Sequence, residues 1–141
     1  METPIEQIFV GLRKPFPTIV FKRRIGYMKE RYDVHRYQHK IDAVLDLLFI
    51  LDGEVEGFLE KFEDVDERCY RGSSHRTRHY VSKDRDNLYP KYSQHLTGEF
   101  SRQVGSLWIA TNVGLKEMHT IIREACDAAD IRMSPFSELK L

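Results

Sequence analysis

The chain has 141 residues, 41% of them apolar and 31% charged, enough for one domain with its own core. Its 22 Lys and Arg balance 22 Asp and Glu, which excludes a surface that is cationic all round and tracks nucleic acid everywhere. The longest apolar run, LLFIL at residues 47–51, is too short to cross a bilayer.

The balance conceals segregation. Residues 13–40 carry nine Lys/Arg against Glu30 and Asp33, residues 52–67 carry eight acids against Lys61, and residues 68–91 carry seven Lys/Arg with His75 and His79 against Asp84 and Asp86. Such blocks imply complementary faces within one fold or between copies. Two cysteines, Cys69 and Cys126, do not make a disulfide framework, and no basic stretch followed by an apolar segment marks a signal peptide. A soluble, cytoplasmic protein in a reducing compartment is expected.

In chain order, METPIEQIFVGLRKP has the marks of a helix start: Thr3 as cap, Pro4 at the first position and Glu6 completing a capping box. Ile5, Ile8, Phe9 and Leu12 then share a helical face, and Pro15 ends it. Thr18-Ile19-Val20-Phe21 is β-branched and aromatic, which favours a short strand or extended arm, so residues 1–32 are expected to form an N-terminal helix and arm. Val34, Tyr37, Ile41, Val44, Leu48, Leu51, Val55, Phe58, Phe62 and Val65 recur at alternating spacings of three and four, which predicts one long helix over 33–66 packed in coiled-coil style, with Asp33 as its cap. Gly53 and Gly57 in its interior, four residues apart on one face, permit either a close helix approach or a bend.

A basic connector over 67–96 follows. Val104, Trp108, Thr111, Leu115, Met118, Ile122, Ala125 and Ala129 then predict a second long helix over 97–131, capped at Thr97, before a tail at 132–141. The expected fold is therefore mainly α, a single helical domain built on a long antiparallel helical hairpin. Stripes this wide call for further cover, and a homodimer forming a helical bundle supplies it. A monomer covered by its own N-terminal segment is the competing arrangement.

The chemistry concentrates in the connector, RGSSHRTRHYVSKDRDNLYPK. Arg forks match phosphate oxygens, serine hydroxyls and the Gly72 backbone add donors, and Tyr80, Tyr89 and Tyr92 offer faces on which bases stack. Arg68, Arg71, His75, Arg76, Arg78 and His79 are the candidate ligand-binding residues, with Lys22–Arg24 extending the surface. The expected role is a non-enzymatic regulator or adaptor that binds a nucleotide, a nucleic acid or an acidic protein partner without a cofactor. The bland alternatives are a solvated linker, or pairing of these arginines with the acids of 52–67 on the same or a neighbouring chain.

Cys69, His75 and His79 have zinc-ligand spacing, but Arg76 and Arg78 between them oppose a cation. His35 and His39 lie one helical turn apart without the intervening Glu of hydrolytic zinc helices. An enzymatic alternative uses Arg68 and His75, separated by six residues as in metal-independent ribonucleases of the HEPN type, with His moving protons and Arg stabilising phosphate. The residues around them do not resemble that family. The last alternative is a purely structural or assembly protein.

Overall fold

The computed structural model describes residues 5–13 and 16–131, with the first strand and residues 23–24 traced through their backbone alone. Its elements run β1 (Ile5–Arg13), β2 (Phe16–Gly26), β3 (Lys29–Arg36), α1 (Lys40–Glu54), α2 (Phe58–Gly72), β4 (Val81–Ser82), β5 (Ser101–Val104), β6 (Leu107–Ala110) and α3 (Leu115–Ala128). Two antiparallel three-stranded sheets, ordered β1-β2-β3 and β4-β6-β5, pack with three helices. The fold is mixed α and β, and the expectation of a mainly helical, coiled-coil hairpin is wrong.

The error begins at the N-terminus, where the apolar residues after the capping-box signal lie on a strand. β1 pairs antiparallel with β2 from Arg13↔Phe16 to Ile5↔Arg23, and cross-strand hydrogen bonds override the local helix signal. The extended stretch read at Thr18–Phe21 is present and forms the middle of β2. Asp33 is no helix cap: it lies in β3, opposite Phe21. The proposed caps Thr3 and Pro4 and the tail at 132–141 fall outside the described residues.

The 33–66 stripe divides into three pieces, so no single helix spans it. Val34 belongs to β3, α1 buries Ala43, Val44, Leu47, Leu48 and Leu51, and α2 buries Phe58, Phe62 and Val65. The bend alternative at the glycines is the one realised. Val55 is extended and donates to Leu51 O at 2.8 Å, and Gly57 takes a left-handed φ of 69°, natural for glycine, to open α2. Phe58 and Phe62 then stack with ring centroids 5.4 Å apart.

The expected helix over 97–131 keeps only its second half. Residues 101–110 make a hairpin whose closing pair is Val104↔Leu107, with Gly105 at φ 55° in the two-residue loop. Thr97, read as a helix cap, ends a 3₁₀ turn instead. α3 packs Ile121, Ile122, Ala125 and Cys126 against α1 and α2, completing one core that includes Ile19 and Phe21 of β2 and Leu107 and Ile109 of β6. The stripes that called for a second copy are thus covered by sheets and helices of the same chain, and the homodimer loses that support.

The β2–β3 turn is unusual. Met28 at its tip has φ 64°, a left-handed conformation that costs an L-residue roughly 1–2 kcal/mol.

Candidate functional site

The connector begins later than expected, because α2 continues to Gly72. Ser73 then turns the chain back: its Oγ accepts the backbone N–H groups of His75 and Arg76, each at 3.2 Å, a side-chain turn suited to serine. The reversal carries Arg76 inward between α2 and α3. Arg76 Nη2 donates to Asp66 Oδ1, and Nη1 donates to Glu124 Oε1 at 2.6 Å. Arg76 Nε donates to Arg78 O at 3.1 Å, and the guanidinium lies 4.0 Å from the centre of the Tyr80 ring. Asp66 also accepts the Tyr80 backbone N–H at 3.3 Å and lies 3.1 Å from His79 Nδ1.

All three charges are buried, with side-chain exposures of 8% for Arg76, 1% for Asp66 and 5% for Glu124. One cation faces two carboxylates, so the cluster carries an excess of negative charge. Burial, then repulsion from Asp66, pushes the Glu124 carboxyl up to about 7 from 4.5, against the opposing pull of Arg76 and the Cys69 thiol. The two carboxylates raise the Arg76 pKa against the lowering effect of burial, the largest single influence. Burial and Glu124 likewise hold the Cys69 thiol above its ordinary value, so it is a weak nucleophile at neutral pH. Among the described residues Glu124 Oε2 is buried with no partner at ordinary hydrogen-bond geometry, the Cys69 thiol being its nearby weak donor.

Arg78 follows a different course. Its Nη2 donates to Asn112 O at 2.6 Å and to Glu117 Oε2 at 2.7 Å, bracing the connector against the start of α3. No acceptor among the described residues takes its Nε or Nη1. Arg78 lines a cleft of about 520 Å³ with Thr77, Tyr92, Ser93, Asn112 and Gly114. Tyr89 builds one wall, donating to Phe100 O at 2.7 Å while accepting the Asn112 N–H at 3.2 Å. Gly114 precedes α3 as its N-cap residue, so no side chain of its own caps the first-turn N–H groups.

The other expected site residues disperse. Arg71 is exposed and paired with Glu67 at 2.5 Å, and Arg68 and His75 are also exposed. His79 lies between Asp66 and Glu67, its ring 4.1 Å from that of Tyr70. The pairing of connector cations with the acids of 52–67 is therefore extensive: Arg76 with Asp66, Arg71 with Glu67 and Lys83 with Glu63. No hydrogen bond or ion pair among the described residues joins Arg68 to His75, the pair the ribonuclease alternative needs. Among the described residues no three His, Cys, Asp or Glu side chains come together to hold a metal ion. His35 lies in β3 beside Asp46 at 3.9 Å, while His39 caps α1 with its backbone.

Glu124 and Glu117 escaped the sequence reading. Glu124 had a signal, because an acid flanked by Ile121, Ile122, Ala125 and Cys126 sits where a helix turns to the core and requires a cation. Glu117 had none beyond its place in the first turn of α3.

No protein-family model matches the chain, and neither the curated proteins nor the solved structures include one significantly similar to it. Among the described residues no helix is long and apolar enough to cross a membrane.

Proposed function

We propose that the protein is a non-enzymatic binder of a phosphate-bearing ligand, a nucleotide foremost, seated in the cleft between Arg78 and the first turn of α3. The observation that carries this reading is the spare donor capacity of Arg78 in a side chain that lines the cleft: Nη2 is committed to the protein, while Nε and Nη1 have no acceptor among the described residues. Each can give one charge-assisted hydrogen bond to a phosphate oxygen. The first-turn N–H groups of α3 and the hydroxyls of Thr77 and Ser93 add neutral donors. Tyr92, 78% exposed at the cleft, supplies a face for a base.

The cleft volume falls within the range of small-molecule sites. Glu117, bonded to Nη2, repels an anion from that side and limits affinity. Arg76 belongs to the support rather than the contact surface, since its donors already meet Asp66, Glu124 and the Arg78 carbonyl.

The test is a fluorescence titration of the full chain with a labelled nucleoside triphosphate. Wild type is expected to saturate, and Arg78→Ala to bind about 10- to 100-fold more weakly, the loss of a charge-assisted hydrogen bond. The melting temperature of that variant should stay close to wild type, because the Arg78–Glu117 pair is partly exposed. Absence of saturable binding, or equal binding by the variant, refutes the proposal. Collapse of the variant's fold would make Arg78 structural.

A further inference from the structure

Six of the nine cations of residues 13–40 fall within residues 22–36, on the β2–β3 hairpin and remote in sequence from the Arg78 cleft. We propose that this hairpin is an arm that grips double-stranded DNA, with Tyr27 and Met28 at its tip acting as an apolar wedge. The inference stands independently of the nucleotide reading.

Three observations support it. The first is charge: residues 22–36 hold six Lys/Arg against two acids, an excess of four. The acids are already engaged, Glu30 by Lys22 at 2.9 Å and Asp33 by Arg31 at 2.9 Å, so the excess falls to the field around the arm. Polyanionic phosphate backbone is the partner that complements it.

The second is the chemistry of the tip. Tyr27 is 94% exposed and Met28 87% exposed, with Ile25 and Tyr32 exposed below them. A turn whose backbone is left-handed ordinarily carries glycine or asparagine at that position. This chain instead places a bulky thioether there, in water and in an unfavourable conformation, with no packing inside the described molecule to offset it. A residue that breaks a local rule without folding benefit is the expected signature of a contact surface.

The third is shape. Pairing of β2 with β3 continues to Gly26↔Lys29, and among the described residues β1 follows β2 as far as Arg23, so within those residues the tip is carried on a two-stranded ribbon. Such a ribbon fits a groove of B-form DNA, and apolar wedges of this kind insert at base steps.

The experiment is fluorescence anisotropy of the full chain with a labelled 20-base-pair DNA duplex, repeated in rising salt. Wild type is expected to bind with steep salt dependence. The Tyr27→Ser/Met28→Gly variant is expected to bind at least about 10-fold more weakly, with its circular dichroism unchanged and its melting temperature equal or higher, because glycine suits the backbone at 28. Lys29→Ala should reduce the slope of log affinity against log salt by about 0.9. Arg78→Ala should leave duplex binding intact, which separates this arm from the cleft. The proposal is overturned by absence of duplex binding at about 50 mM salt, by full affinity in the tip variant, or by a tip-dependent affinity for phosphatidylserine vesicles in place of DNA.

Discussion

Replacing Arg76 with methionine removes the one Lys or Arg among the described residues that bonds both Asp66 and Glu124. Methionine retains much of the stem volume, so the dominant cost is electrostatic. Asp66 keeps two neighbours, the Tyr80 N–H at 3.3 Å and His79 at 3.1 Å. Glu124 loses its 2.6 Å bond to Arg76, and its second oxygen has no hydrogen-bond partner among the described residues. Breaking a buried ion pair from one side costs about 3–5 kcal/mol. For a chain of this size that amounts to a fall of roughly 10–17 °C in melting temperature.

The cost has a pH signature. Without Arg76 the Glu124 carboxyl rises further above about 7 and escapes the penalty by taking up a proton as pH falls. Urea unfolding followed by circular dichroism should therefore show a larger deficit at pH 8 than at pH 5.5. Arg76→Met/Glu124→Leu should recover much of the loss, since an apolar replacement of the whole pair removes the stranded charge. A deficit below about 1 kcal/mol at pH 8, or one that grows on acidification, would refute the buried-network reasoning.

Glu124→Gln tests the wild-type cluster from the other side. A carboxyl whose folded pKa is raised from 4.5 to about 7 contributes most below pH 4.5 and loses that contribution as pH rises through about 7. The wild type should lose stability across this window relative to Glu124→Gln, and the variant should be the more stable protein above pH 7 in paired urea titrations. Gly105→Ala should cost about 1–3 kcal/mol by chemical denaturation, because a methyl group there would lie 2.6 Å from Leu59 Cδ1 on a backbone at φ 55°.

The sequence made some elements readable and misled on others for identifiable reasons. β2 was visible in Thr18–Phe21 because β-branched and aromatic residues crowd there without helical spacing. Within the 34–65 stripe, Ile41 to Leu51 and Phe58 to Val65 are indeed helical. The alternation of threes and fours persists through Val55, however, and periodicity alone does not reveal that Gly57 restarts the helix. At 101–110 the decisive signal was local and was outweighed: Gly105-Ser106 between Val104 and Leu107 fits a two-residue hairpin loop, yet Val104 and Trp108 also fit a helical stripe. At the site, Arg71, Arg76 and Arg78 look alike in sequence. Only the Ser73 turn and the position of Glu124 on α3 bury one, leave one at the surface and set one at a cleft. The acids that accept these cations were legible as a block, but Glu117 and Glu124 are about 40–50 residues away and meet them solely through the tertiary fold.

The central claim is that the connector divides its labour, with Arg76 holding α2 to α3 and Arg78 receiving a phosphate. An amide nitrogen–proton NMR titration with a nucleoside triphosphate tests it residue by residue. The account predicts shifts confined to Thr77, Arg78, Tyr92, Ser93 and the start of α3 from Asn112 to Glu117. Shifts centred on Arg71–His75, or none at millimolar nucleotide, would contradict it.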